Sequence, residues 1–128
     1  MRMLLDTHAI LWWLDGSPRL GAAAADYFQR QDVELFASIA SLWEIAIKRS
    51  VGKLEATSAQ VAAHLAKNQI VVLPIEAGHL GIIEQLPHLH RDPFDRMIIA
   101  QALGASMPIM TDDAIMPSYG VPCIPAMR

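Results

Sequence analysis

Residues 70–75 read IVVLPI, an apolar run with no alternation between polar and apolar positions. A strand with one face in water alternates, whereas a strand apolar throughout is covered on both faces. Four other short apolar runs read the same way: Met3–Leu5, Leu35–Ala37, PIMT at 108–111 and the edge-like VPCI at 121–124. Helical patterns separate them. THAILWWL starts at Thr7, and after a turn at Asp15–Pro18 an alanine-rich helix runs to about Gln31. SLWEIAIKRSVG carries a Ser41–Glu44 capping box and stops at Gly52, and Thr57 or Ser58 caps the next helix. Glu76–Leu86 is helical up to Pro87, and a last long helix runs from Asp92 to about Leu103, ended by Gly104. Apolar strands alternating with helices predict a three-layer α/β/α sandwich around a central, mostly parallel sheet. Without a repeat, linker or low-complexity tract, residues 1–128 read as a single domain.

A chain of 128 residues can bury a proper core. Its 53% hydrophobic content and mean hydropathy of +0.29 exceed what that core needs, which predicts self-association or a bound partner chain. A single cysteine, Cys123, excludes an internal disulfide and fits a reducing compartment. Asp6 and His8 interrupt the N-terminal apolar run, so it reads as neither a signal peptide nor a membrane span, and the expected location is cytoplasmic. The net charge of −3 argues at first sight against a nucleic-acid partner.

The acids qualify that objection. In an open parallel sheet, sites gather beyond the carboxyl ends of the strands. Asp6 ends the first strand, Glu44 lies in the first turn of the helix after the second, and Asp112 and Asp113 directly follow the fourth, after Thr111. In HLHRDPFDR (88–96), Pro93 suits the first helical position, which makes Asp92 the N-cap and places Asp95 in the first turn. Each acid alone has an ordinary use as a helix or turn cap. Together they repel one another and require a cation. An all-carboxylate site suits hard ions such as Mg²⁺ or Mn²⁺, which activate water and stabilise leaving oxygens. With Asp6, Glu44, Asp95 and Asp113 set aside, nine acids remain against ten Lys and Arg. Lys48, Arg49, Lys53, Arg91 and Arg96 neighbour the acids in sequence and are candidates for phosphate contacts, or else belong to solvated helix faces.

LLDTHAILWWL, SLWEIAIK, HRDPFDRMIIAQA and TDD, in this order and spacing, resemble a PIN-domain ribonuclease of the VapC toxin type, a likeness that extends to YGVP at 119–122. The resemblance implies a Mg²⁺- or Mn²⁺-dependent endoribonuclease, the toxin of a type II toxin–antitoxin pair, with Asp6, Glu44, Asp95 and Asp113 as its four acids. It further implies a homodimer and a small antitoxin whose tail fills the active-site groove. Thr111 matches a hydroxyl residue often found before the fourth acid, and the pattern of threonine, any residue, aspartate selects Asp113 over Asp112. Met116 stands where the family often has phenylalanine, and the tail CIPAMR is longer than the usual ending.

His88 and His90 have a zinc-compatible spacing, but no further ligand pattern supports it and they read as a loop pair. His8 reads as a packing or capping residue close to Asp6, and Trp12, Trp13 and Trp43 as core or dimer contacts rather than RNA-stacking groups. A non-catalytic PIN-like RNA-binding protein is the alternative function. A receiver-like phosphoacceptor domain fits less well, because it needs paired acids after the first strand and a lysine after the last.

Overall fold

The computed structural model describes all 128 residues. In chain order the elements are β1 (Arg2–Leu5), α1 (Thr7–Asp15), α2 (Ala22–Tyr27), β2 (Glu34–Ser38), α3 (Ile39–Ser50), α4 (Ser58–Lys67), β3 (Val71–Leu73), α5 (Ala77–Gln85), α6 (Pro93–Ala105), β4 (Ile109–Thr111), a 3₁₀ turn (Met116–Tyr119) and β5 (Cys123–Pro125). All four strand pairings are parallel, in the order β3-β2-β1-β4-β5. The sheet is thus wholly rather than mostly parallel, with β5 at an edge.

Side chains of successive strand residues enter opposite cores. Met3 and Leu5 pack with residues of α1 to α4, while Leu4 packs with Ile98, Ile99 and Ala102 of α6. Leu4, Leu5, Ile99 and Ile109 are all 0% exposed, and burying each such side chain contributes about 1.5–3 kcal/mol. Met116 is also fully buried in the α6-side core, where it fills space that the resemblance gave to phenylalanine. The tail turns back on α2, whose Gly21 and Ala24 N–H groups bond to the carbonyls of Ala126 and Arg128. A Cβ at Gly21 would collide with the Arg128 backbone, so the longer tail and this glycine belong together.

Strand order runs outward from β1 in both directions, which opens a crevice beyond its carboxyl end. Leu5 pairs with Met110, so Asp6 and Thr111 leave the sheet side by side. Helix starts fix the remaining groups. Asp92 accepts from the Phe94 and Asp95 N–H groups at 2.8 and 3.1 Å, with Pro93 next, as the sequence predicts. α3 departs from expectation. Its cap is Ser38, accepting from Ala40 N–H at 2.9 Å, because the helix begins directly where β2 ends. The Ser41–Glu44 box does not form, and Glu44 lies in the second turn. Ser41 instead accepts from the Thr7 hydroxyl at 2.8 Å, tying α3 to α1. α2 ends at Tyr27, short of Gln31, and α6 continues through Gly104 to a left-handed cap at Ser106. Gly104 lies against Ile82, where a Cβ would come within 3.2 Å.

Candidate functional site

Two hydrogen-bond donors hold Asp6 as it leaves β1. Its Oδ1 accepts from Thr7 N–H at 2.7 Å and its Oδ2 from the Thr111 hydroxyl at 2.7 Å. The Thr111 oxygen in turn accepts from Asp113 N–H at 3.0 Å, so one threonine joins the ends of β1 and β4. Asp6 is 4% exposed. Burial pushes its pKa above the usual carboxylate value, although the two hydrogen bonds and His8 pull the other way.

Asp113 bonds its Oδ1 to Ile115 N–H at 2.7 Å and its Oδ2 to His90 Nε2 at 2.7 Å. The same nitrogen lies 3.1 Å from Asp95 Oδ2. His90 Nδ1 accepts from Asp92 N–H at 3.2 Å. A backbone N–H can only donate, so the neutral ring carries its proton on Nε2 and shares it between the two carboxylates. Burial works against the charged ring, but the Asp113 hydrogen bond and the charges of Asp113, Asp95 and Asp92 raise its pKa overall. Protonation would set a second N–H against that of Asp92. Asp113 falls below the usual value: burial pushes it up, and the bonds from His90 and Ile115 outweigh that. Asp95 is pushed up to about 7 by burial and then by the charges of Asp6, Asp92 and Glu44, with His90 opposing.

Glu44 reaches the group from α3. It is buried, its Oε2 lies 3.2 Å from Lys48 Nζ, and its Oε1 is buried with no hydrogen-bond partner. An orphaned carboxylate oxygen, beside acids that raise one another's pKa, fits a hard divalent cation. The tightest constellation is His90, Asp95 and Asp113, whose possible ligand atoms lie within 4.8 Å of one another. Asp6 joins it through Thr111, and Glu44 through its charge on Asp95. Asp112 is exposed.

His90 is the member that sequence reasoning passed over. The His-x-His spacing pointed to a pair with His88, which is exposed, whereas His90 turns alone toward the acids. Its loop is held by Tyr119, whose hydroxyl accepts from the Leu89 and His90 N–H groups at 3.1 and 2.8 Å and donates to the Pro87 carbonyl at 2.9 Å.

The bases divide. Arg96 is buried, and its guanidinium donates to the Pro87 carbonyl at 2.9 Å and the Ile83 carbonyl at 3.3 Å, closing the end of α5 where it borders the cleft beside His90. Lys48 pairs with Glu44, and Arg49 donates to the Glu55 carbonyl. Lys53 and Arg91 are exposed. Arg91 and His88 line a cleft of about 490 Å³ beside His90. His8 is exposed and stacks on Trp12, and Trp12 and Trp13 pack on the core. Trp43 does not join that core: it is 58% exposed and meets Phe94 edge-on.

A family model described as PIN domain matches residues 3–121. The chain belongs to the PIN domain family. The chain is similar throughout to several solved structures. A chain of VapBC2 from Rickettsia felis, solved with a promoter DNA fragment, is 12% identical, with a TM-score of 0.76 over 97% of this chain and 98% of that one. DNA-bound VapBC from Salmonella typhimurium gives 16% identity and a TM-score of 0.67 over 97% of each chain. A toxin–antitoxin complex from Klebsiella pneumoniae gives 13% and 0.66, again over 97% of each. No curated protein sequence matches the chain. In this PIN domain the conjunction of Asp6, Asp95 and Asp113 is set by parallel strand order and by the N-terminus of α6.

Proposed function

We propose that residues 1–128 form a single PIN domain that is a Mg²⁺- or Mn²⁺-dependent endoribonuclease and the VapC-type toxin of a toxin–antitoxin pair. One observation carries the reading: Asp6, Asp95 and Asp113 converge beyond the ends of β1 and β4, beside Glu44, whose Oε1 is buried with no hydrogen-bond partner. An acidic crevice that disfavours its own ionisation is relieved by a cation. Asp6, Glu44, Asp95 and Asp113 would hold the ion directly or through water. When bound, it would supply a Lewis acid that acidifies water and offsets charge on the phosphoryl oxygens.

The chain's own groups do the rest. Thr111 fixes the Asp6 and Asp113 branches relative to each other, so the acids keep their separation when substrate arrives. Glu44 Oε1, buried without a partner, is the oxygen left to accept a hydrogen bond from a group brought into the crevice. Arg91 and His88 offer nitrogen donors to a neighbouring phosphate of the strand, and Lys53 lies exposed beyond α3. Water attacks phosphorus in line, one P–O ester bond breaks, and one product keeps the phosphate while the other leaves as an alcohol.

The toxin assignment is supported by the similar structures, which are described as VapBC or toxin–antitoxin complexes. A partner chain is supported by α3 and its C-cap, where Ile39, Trp43, Ile47 and Val51 recur every four residues and are all exposed. We assign that stripe to association, with an antitoxin or a second copy in a homodimer, in the cytoplasm. No helix is long and apolar enough to cross a membrane.

The test is purified protein on single-stranded RNA with Mg²⁺, with Mn²⁺ and with chelator. Cleavage is expected only with metal. Robust cleavage in chelator would sink the mechanism, and RNA retention without cleavage in every buffer would make this a non-catalytic RNA-binding PIN domain.

A further inference from the structure

We propose that the His90 side chain is a built-in stand-in for the cation: its Nε2–H occupies the place between Asp95 and Asp113 that the ion takes, and ion binding ejects the ring. This inference rests on the metal-dependent reading above. A single N–H lies 2.7 Å from Asp113 Oδ2 and 3.1 Å from Asp95 Oδ2. A donor that only orients a ligating carboxylate approaches one oxygen from outside. A donor shared by two carboxylates sits in the space between them and takes lone pairs that a cation common to both would use.

The ring is placed as a donor and not as a ligand. Nδ1 faces the Asp92 N–H at 3.2 Å, which commits the neutral ring's proton to Nε2. Ligation through Nε2 would need that proton on Nδ1, against the Asp92 N–H. Asp113 Oδ1 already accepts from Ile115 N–H at 2.7 Å, and Oδ2, the oxygen His90 holds, is the one the ring shares with Asp95.

The surroundings suit a ring that swings while its backbone stays. Tyr119 fixes the main chain at Pro87, Leu89 and His90 through one hydroxyl. The cleft of about 490 Å³ lined by Ile83, His88, His90, Arg91, Pro93 and Arg96 gives the imidazole room to leave the acids without moving that loop. The partial positive charge of the N–H thereby holds two carboxylates together before the ion arrives.

Isothermal titration calorimetry with MnCl₂ on wild type, His90→Ala and His90→Gln decides between displacement and support. Displacement predicts that His90→Ala binds Mn²⁺ about tenfold or more tightly, since a hydrogen bond to a charged group no longer competes. His90→Gln, which keeps an N–H donor on a flexible chain, should fall between. Equal or weaker binding by His90→Ala overturns the inference and leaves the metal-dependent reading standing. Absence of Mn²⁺ and Mg²⁺ binding in every form overturns both. If His90→Ala does not fold, wild-type NMR carries the decision. The His90 Nε2–H resonance should shift and exchange faster with water on saturation with diamagnetic Mg²⁺, and an unmoved resonance refutes ejection.

Discussion

Asp6 and Asp95 are the same residue type, each at the start of a helix, and both carry a raised pKa. Their support differs. Asp6 is almost wholly enclosed, and each of its oxygens accepts a bond from a fixed donor, Thr7 N–H or the Thr111 hydroxyl. Asp95 is less enclosed, has only a share of the His90 proton, and faces the charges of Asp6, Asp92 and Glu44. Burial raises the first against good hydrogen bonding, whereas burial and like charge together raise the second. One half of the crevice is therefore finished as folded, and the other is left short of hydrogen-bond partners.

The largest effect should come from testing whether both halves are needed at once. Asp6→Asn and Asp95→Asn should each reduce RNA cleavage below detection in Mg²⁺, with circular dichroism unchanged. Asp113→Asn should be far more damaging than Asp112→Asn, because Asp113 bonds to His90 and Ile115 while Asp112 is exposed. Reversal of that order would reassign the fourth acid.

Metal should act on the unfinished half. An ion that binds only the folded state stabilises it by about 2.7 kcal/mol at a hundredfold excess over its Kd. Thermal midpoints should rise accordingly with Mg²⁺ in wild type and much less in Asp95→Asn. An equal rise in both proteins would remove Asp95 from the ion's surroundings. The finished half should respond to loss of its bridge instead. Thr111→Val leaves Asp6 Oδ2 and Asp113 N–H without their partner and should cost about 2 kcal/mol in urea unfolding, with or without metal. A neutral result would mean that water replaces the hydroxyl.

The same contrast explains what was legible in the sequence. Asp6, Asp92, Asp95 and Thr111 hold positions set by local rules, namely a strand end, an N-cap, a first helical turn and a strand end. Their places follow from spacing alone. The five short apolar runs likewise announced a parallel sheet. His90 and Arg96 were read by their neighbours in sequence, but the shortest bond of the His90 ring is to Asp113, 23 residues away, and the partners of Arg96 at the end of α5 are 9 or more away. Nothing in HLHR separates an exposed His88 from an engaged His90, because the Tyr119 hydroxyl that orients the loop comes from beyond β4. The α3 cap was misplaced because Ser38 and Ser41 are both competent caps, and only the end of β2 chooses between them.

The smallest effect is the most specific to Asp95. Before the geometry is considered, neutralising Asp6 is the natural way to relieve the crowded acids of the metal-free protein. Asparagine there would, however, turn an amide toward the Thr111 hydroxyl or the Thr7 N–H, and the relief is largely lost. Asp95→Asn gives up only a shared hydrogen bond and a modest helix-dipole contact, so it should stabilise the protein in chelator at neutral pH. The pH dependence follows from the sign of the shift. An unfolded aspartate titrates near about 4, and the folded Asp95 at about 7. Below the lower value both states hold the proton and the group contributes nothing. Between the two values the folded protein binds the extra proton, so stability from this group declines as pH rises, and it levels off above the upper value. Comparison with Asp95→Asn separates this trend from Asp113, whose lowered pKa acts in the opposite sense. Unfolding of both proteins in chelator at pH 4, 5.5, 7 and 8 should show their difference growing from near zero to its maximum. A difference constant across that range would mean that Asp95 is as well supported as Asp6, and the division of the crevice into a finished and an unfinished half would fail.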